Sequence, residues 1–280
     1  MAKNVPGFFV KRQSPWRRAA ANLWSPPDDP TVFGGIELDA SPLLAYLRAR
    51  EALGRPRVTL THVVVKAIAL ALRAHPECNA YVRMGRIYQR RDVDVFVLVA
   101  VRPEDGGAPS ADLSGVKIEN ADRLSLAAIA QAIETGARQA RAGDEVVFGG
   151  AKRWASRLPP SLISAGLRVV TYLQYELNLD LSPLGVPRDS FGGALVTNVG
   201  TFGIGHAYAP LAPVARFATS VVIGRVSDKP VAEGGQVVIR PMLPLMTTFD
   251  HRVVDAYHAS RLAETLRAGL ADPAAWLGEG

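Results

Sequence analysis

Cysteine is almost absent from this sequence of 280 residues, in which Cys78 is the only one. A single thiol cannot close a disulfide within the chain, and it cannot build a zinc site from several thiolates. A low cysteine content is typical of proteins in a reducing compartment. We therefore expect a cytoplasmic protein without a bound metal.

Long apolar runs and long runs of one charge are also missing. No stretch of about twenty uncharged apolar residues occurs, so we predict no transmembrane segment, and the apolar run near the N-terminus is too short for a signal peptide. The formal net charge is +6, but Lys and Arg are scattered in pairs such as Arg17-Arg18 and Arg90-Arg91. This distribution is typical of a solvated basic surface, with a phosphate-bearing ligand as the alternative, and we expect no nucleic-acid partner.

Apolar side chains, by contrast, are plentiful. Hydrophobic residues make up 48% of the chain and the mean hydropathy is +0.10, which predicts a well-buried core. Prolines cluster in the first thirty residues, so we predict an N-terminal arm over 1–30 with one short helix, Trp16–Leu23.

The spacing of apolar residues and of Gly and Pro predicts the remaining elements. Helices are predicted for 41–53, from Thr59 or Thr61 to His75, from Ser125 to about Gly143, and for 257–270. Strands are predicted for 31–38, 81–83, 86–88, 94–101, 116–118, 194–198, 217–226, 236–240 and 242–249. Hairpins and peripheral helices without regular β-α alternation predict an α+β fold with a large mixed sheet.

One further segment, Pro159–Leu181, has apolar residues on one helical face. Leu162, Val169, Leu173 and Leu177 share that face, so we predict an amphipathic helix. We expect this helix to form an oligomer contact or a cover over a substrate pocket.

The candidate catalytic residue lies near the C-terminus. The β-branched stretch Met242–Phe249 leads into a turn that contains His251, and Asp255 precedes the last helix. Imidazole titrates near neutral pH, so a histidine held in a cleft can take a proton from a thiol or a hydroxyl. We predict that His251 is a general base, with a surface histidine in a turn as the alternative.

Five segments occur in an order that is characteristic of one family. They are Val63–Asn79, Asp92-Val93-Asp94-Val95, Asp122–Ile129, Leu195–Gly203 and Phe249–Asp255. The last is close to a D-H-R-x-x-D-G signature, and Leu195–Gly203 is similar to T-I-S-N-L-G-x-F-G. Together they resemble the catalytic domain of the dihydrolipoamide acyltransferases of 2-oxo acid dehydrogenase complexes. The resemblance covers most of 12–277 and implies a chloramphenicol acetyltransferase-like mixed sheet with flanking helices in a catalytic domain over 31–280.

The resemblance also implies an activity and a set of site residues. The activity is acyl transfer between coenzyme A, as a substrate, and a dihydrolipoyl or other thiol acceptor. His251 would be the general base, Thr197 the oxyanion donor in place of a serine, and Asp255 a positional residue. Thr197 is otherwise an ordinary strand residue, and Asp255 is otherwise a helix cap. The supporting or substrate-binding candidates are Asn198, Arg252 and Arg17.

The sequence departs from the family pattern at several points. Ala256 replaces the glycine of the signature, and alanine would strain the turn if that position required a positive φ. Glu104–Asp112 replaces a tidier turn of the substrate channel, and residues 150–190 form an atypical insertion. No lipoyl domain is expected in the chain, and Asp228-Lys229 is expected in a surface turn rather than as a site for covalent lipoate.

The resemblance implies a homotrimer with active sites between subunits, His251 of one facing Thr197 of its neighbour. Trp276 and Leu277 are expected either to form a hydrophobic knob that joins trimers into a cage or to pack as a tail in the core. A lipoyl domain on a separate chain is the expected partner. The alternative function is a catalytically degenerate homo-oligomeric scaffold or cage protein. Antibiotic O-acetylation ranks last, because no doubled histidine precedes the signature.

Overall fold

The computed structural model describes residues 4–11, 14–15, 29–101, 112–142 and 160–277. The described strands are β1 (Gly7–Phe9), β2 (Thr31–Asp39), β3 (Ala80–Arg83), β4 (Arg86–Arg90), β5 (Val95–Val101), β6 (Asp112–Ile118), β7 (Ala194–Asn198), β8 (Thr219–Ile223), β9 (Ser227–Glu233) and β10 (Gln236–Asp250). The described α-helices are α1 (Ser41–Ala52), α2 (Leu60–Ala74), α3 (Leu126–Arg141), α4 (Pro160–Thr171), α5 (Ala256–Ala271) and α6 (Pro273–Trp276). No helix in these ranges is long and apolar enough to cross a bilayer.

A seven-stranded mixed sheet organises the molecule. Its order is β6-β5-β7-β8-β10-β2, and β9 pairs with the first half of β10. The pairs β5-β7 and β7-β8 are parallel, and the other pairs are antiparallel. A separate three-stranded sheet has the order β1-β4-β3. A mixed sheet with flanking helices confirms the predicted α+β class.

Side chains along each strand alternate between the two faces of the large sheet. One face, here the helix face, carries residues such as Val196, Val221 and Leu245, which pack beneath the helices in the main core. The opposite face, here the loop face, carries Phe96 and Leu195, which pack under the long loop that precedes β8. The sheet therefore separates two cores of unequal size.

Helix α2 lies at the centre of the main core. Its residues from Val63 to Ala69 are all buried, as its apolar sequence predicts. Thr59 caps its N-terminus in a capping box with His62, whose Nδ1 accepts the Thr59 N–H at 3.2 Å. Burial lowers the pKa of His62, which favours the neutral imidazole that this hydrogen bond requires.

Several predicted boundaries differ from the structure. The predicted strands 236–240 and 242–249 are one strand, β10, which continues through Pro241 and Pro244. Pro241 lies beyond the end of the β2 pairing, and Pro244 lies between the residues that pair with β9 and those that pair with β8. Each proline, which has no N–H to donate, therefore lies where the pairing of β10 with a neighbouring strand begins or ends.

The expectation of a surface turn at Asp228-Lys229 is wrong. Both residues belong to β9, a strand that the sequence pattern did not reveal, and the Lys229 ammonium pairs with the Glu37 carboxylate. The residue pair Ser41-Pro42 predicts Ser41 as the N-cap of α1. In the structure Ser41 is instead the first helical residue, and its N–H donates to the Asp39 carboxylate at 2.8 Å.

The predicted helix 159–181 is shorter in the structure. Helix α4 ends at Thr171, a π-helical turn follows over Tyr172–Glu176, and Asn178 has a φ of 55° that stops the chain from continuing as a helix. The π-helical turn is held to the N-terminal segment, because Asn4 Nδ2 donates to the Gln174 carbonyl at 3.0 Å.

The C-terminal tail packs against its own protomer. Leu277 is 4% exposed and belongs to the main core, and the Trp276 ring lies so close to Gly269 that a Cβ there would approach it to 2.1 Å. This packing favours the core-packed tail over the predicted knob. The predicted helix Trp16–Leu23 lies outside the described residues, as does most of Glu104–Asp112.

Candidate active site

A tight turn after β10 presents the candidate base. The Asp250 carbonyl accepts the N–H groups of Val253 and Val254, both at 2.9 Å. The Asp250 carboxylate accepts the Arg252 N–H at 3.0 Å and the Arg252 guanidinium at 2.9 and 2.7 Å. Because one aspartate satisfies both the backbone and the arginine, the turn is rigidly defined around His251.

His251 is half-buried in this turn and held at both ends. Its N–H donates to the Pro30 carbonyl at 2.8 Å, which ties the turn to the residue before β2. Its Nδ1 lies 3.0 Å from the Val254 carbonyl oxygen. A carbonyl only accepts, so Nδ1 carries the hydrogen and Nε2 carries the lone pair of the neutral ring. The structure thus fixes a tautomer with Nε2 as the basic atom.

Asp255 caps helix α5. Its carboxylate accepts the His258 N–H at 3.1 Å and also contacts His258 Nδ1. This geometry matches the helix-cap alternative for Asp255, and it places the start of α5 immediately after the His251 turn. The sequence also suggests an ion pair of Asp255 with Arg17 or Arg18, two residues that lie outside the described ranges.

We predict that Asp255→Ala lowers the free energy of unfolding by about 0.5–2 kcal/mol, because the cap of α5 is lost. Asp255→Asn is expected to retain most of that stability, since asparagine is an equally good cap. Urea unfolding of the two variants beside the parent measures the difference. An equal loss in both variants would instead assign the effect to the carboxylate charge beside His258.

The alanine at the signature's glycine position causes no backbone strain. Ala256 is the first residue of α5, and it is not among the described non-glycine residues with positive φ. Glycine is not required at a helical φ, so the expected distortion of the His251 turn does not occur.

Thr197 and Asn198 end β7 on opposite faces of the sheet. Thr197 pairs with Val222 and shares the loop face with it, whereas Asn198 lies on the helix face and donates from Nδ2 to Thr61 Oγ1 at 2.9 Å. Both residues are half-buried. Asn198 therefore joins β7 to the first turn of α2, which supports its assignment as a structural residue.

Gly200, two residues after Asn198, is required by a close backbone approach. A Cβ on Gly200 would lie 2.6 Å from the Gly224 carbonyl oxygen, which no side chain tolerates. This packing holds the end of β7 against the turn that follows β8. The similarity of Leu195–Gly203 to the family motif therefore has a physical basis in packing.

Thr197 and His251 do not meet within one protomer. Thr197 is level with Val222 on β8, and Val222 is level with Met246 on β10. His251 therefore lies roughly 16 Å further along β10 and about 10 Å across two strands from Thr197. Any site that uses both side chains requires two protomers.

The remaining candidates have structural roles or lie outside the described residues. Arg252 is engaged with Asp250 inside the turn, and Arg17 is not described. Two participants were not assigned by sequence reasoning, the Asp250 carboxylate and the Val254 carbonyl. The aspartate that precedes His251 in the signature was the available signal for the first. The Val254 carbonyl belongs to the backbone, which every residue has, so the sequence does not single it out.

Comparison with known proteins shows which family the chain resembles. A family model described as "2-oxoacid dehydrogenases acyltransferase (catalytic domain)" matches residues 17–145 and 187–278. The stretch between the two matched segments contains α4. The chain is 30% identical over 220 residues to the dihydrolipoyllysine-residue acetyltransferase component of the acetoin cleaving system of Bacillus subtilis, covering 78% of this chain and 43% of that protein. The chain thus spans less than half the length of this relative.

Solved structures share the fold. The cubic core of a pyruvate dehydrogenase multienzyme complex superposes with a TM-score of 0.62 at 21% identity, covering 94% of this chain and 88% of that one. A chloramphenicol acetyltransferase superposes with a TM-score of 0.51 at 12% identity, covering 94% and 99%. The predicted chloramphenicol acetyltransferase-like fold is confirmed.

Proposed function

The chain belongs to the family of 2-oxoacid dehydrogenase acyltransferases, whose catalytic-domain model matches most of it, and on this premise we propose that it transfers an acyl group between coenzyme A and a dihydrolipoyl thiol. The observation that carries the proposal is the His251 turn. A hydrogen bond from Nδ1 to the Val254 carbonyl leaves Nε2 basic, and the Asp250–Arg252 pair fixes the turn. A positioned base is what thiol activation requires.

The reaction follows from this arrangement. His251 Nε2 takes the proton from the attacking thiol, and the thiolate adds to the carbonyl carbon of the thioester. The carbonyl oxygen becomes negatively charged in the tetrahedral intermediate. When the carbon–sulfur bond to the other thiol breaks, that thiolate takes back the proton from the His251 imidazolium. The acyl group has then changed sulfur atoms, and His251 is again neutral.

We propose that the oxyanion accepts a hydrogen bond from Thr197 of a neighbouring subunit. Within a protomer the two residues are too far apart, so the site is completed only by association. A threonine hydroxyl donates as serine does, although its β-methyl group restricts rotation about χ1. Asp255, Asn198 and Arg252 support this site without touching the reacting atoms.

Exposed apolar side chains support the homotrimer in which such sites would form. Val32 and Phe33 lie on β2 beside the His251 turn, and Phe33 packs edge-on against Tyr208 with ring centroids 5.1 Å apart. Phe202 and Ile204 are exposed in the loop after β7. Large exposed apolar side chains of this kind occur at protein interfaces. The core-packed tail gives no support to a cage joined through Trp276 and Leu277.

Helix α4 offers a second apolar surface. Leu167, Val169 and Tyr172 are exposed on α4 and the π-helical turn, while Gln174 and Tyr175 anchor that turn to the protein body. We propose that α4 forms an oligomer contact, with a cover over the acyl pocket as the alternative. Tyr175 donates from its hydroxyl to the Asp189 carboxylate at 3.4 Å, and Asp189 also forms a buried ion pair with Arg90 at 3.0 Å.

A panel of thioesters tests the function. We expect purified protein to form S-acyl dihydrolipoamide from at least one of acetyl-, propionyl- and branched-chain acyl-coenzyme A, measured by release of free coenzyme A. Absence of turnover with all three, in a protein that is folded and oligomeric, would select the catalytically degenerate scaffold. Ala256 gives no support to that scaffold, because it is not among the described residues with positive φ.

A further inference from the structure

An apolar cavity lies on the helix face of the sheet. It has a volume of about 300 Å³, is partly open to solvent, and is lined by α2, α5 and the strands β2, β8 and β10. Its walls include Ile68, Leu72, Val221, Leu245, Phe249 and Leu262. His251, Thr197 and Asp255 are not among the residues that line it. The cavity therefore borders the His251 turn through Phe249 but does not contain the candidate catalytic side chains.

The cavity exists because small residues face it from both sides. Gly34 on β2 contributes no side chain, and Ala259 and Ala263 on α5 contribute one methyl group each. A Cβ on Gly34 would lie 3.5 Å from Thr247 Oγ1 and 3.8 Å from the Phe249 ring, which are ordinary contacts. No steric reason therefore keeps a glycine at position 34. The space could be filled by a larger residue, and it is not.

The size of the cavity sets the size of its ligand. An apolar cavity of about 150 Å³ in another protein holds benzene, which has six non-hydrogen atoms. Twice that volume accommodates about ten to twelve such atoms, at the small end of the range for ligand pockets. A straight chain of about eight carbons with a small polar head matches this size.

The polar groups of the lining indicate the head group. Arg267 is the only charged residue among the described residues that line the cavity, and it is exposed. Inside, Thr219 is 3% exposed, and its hydroxyl has no hydrogen-bond partner among the described residues.

We propose that this cavity binds a medium-chain carboxylate of about ten to twelve non-hydrogen atoms, with the chain against the apolar walls and the carboxylate at Arg267. The proposal does not depend on acyl transfer, because binding to the resting protein tests it. Such a site would let the protein sense free carboxylic acids.

Titration of the intact protein with octanoate, followed by calorimetry and by NMR of the labelled carboxyl carbon, tests the proposal. We expect saturable binding with a dissociation constant on the order of 0.1–1 mM, and no binding of acetate, which lacks the chain. Gly34→Leu fills the cavity and is expected to weaken octanoate binding at least tenfold. Gly166→Leu is the matched control, because Gly166 is exposed on α4 with open space around it.

Arg267→Gln addresses the head group and changes only an exposed side chain, so it keeps the test decisive if Gly34→Leu fails to fold. It is expected to weaken octanoate binding about tenfold, the usual size of a hydrogen bond to a charged group, and to leave 1-octanol binding unchanged. Octanoate that does not bind the parent, or that binds Gly34→Leu as tightly as the parent, overturns the site. Equal octanoate binding by Arg267→Gln and the parent overturns the position of the carboxylate.

Discussion

Replacing His251 by alanine is expected to lower kcat for acyl transfer by a factor of about 10²–10⁴, the usual contribution of a positioned general base. The thiol would then have to lose its proton to water, since the Asp250 carboxylate is already engaged by Arg252. The fold should survive, because the Asp250 carbonyl and carboxylate hold the turn without the imidazole. Initial rates with the best acyl-coenzyme A of the panel measure the effect.

His206→Ala is the matched control for this experiment. His206 is an exposed histidine whose ring contacts the Glu37 carboxylate at 2.9 Å, and it has no part in the proposed site. We expect it to leave kcat unchanged. If both His251→Ala and His206→Ala kept the parent rate, His251 would be a surface histidine in a turn, and the proposed mechanism would fail.

Removing the Thr197 hydroxyl is expected to have a comparable effect for a different reason. Thr197→Val keeps the shape of the side chain but cannot donate to the oxyanion, so kcat should fall by about 10²–10³. Thr197→Ser keeps the donor and is expected to retain most of the activity. A parent-like rate for Thr197→Val would show that Thr197 is an ordinary strand residue.

Mixing the two inactive variants tests whether the site lies between subunits. Co-expressed His251→Ala and Thr197→Val chains can form sites in which an intact His251 meets an intact Thr197 from the neighbour. An equal random mixture should place both in about a quarter of the sites and restore that share of the activity. If both residues acted within one protomer, no mixture would recover activity, and the strand geometry that separates them would have been misread.

Much of the site was predictable from local sequence. Ser125 was predicted as a helix start, and Thr59 as one of two alternatives with Thr61, because capping depends on residues three positions apart. The approach of β10, the turn at His251 and the cap at Asp255 are likewise adjacent in the chain. The family signature adds roles for these residues, and the fold of the family is confirmed.

Elements that depend on distant partners were harder to predict. Strand β9 has exposed, mixed polarity and exists because it pairs with β10, and Lys229 meets Glu37, which lies far away in the sequence. The end of the α4 segment depends on Asn178, which holds the N-terminal residue Val5 through a hydrogen bond of 2.8 Å. Glu37 and Val5 lie far from Lys229 and Asn178 in the sequence, so the local pattern does not predict these contacts.

By itself the sequence determined the α+β class, the family, the candidate base and the cap that follows it. Those features arise from periodicity, capping and a short motif, all of which act between residues close in the chain. Only the tertiary structure decided that the tail packs inward, that Ala256 is unstrained, and that His251 and Thr197 lie at separate places on one sheet. Strand register fixes such distances, and register depends on contacts between residues that are far apart in the sequence.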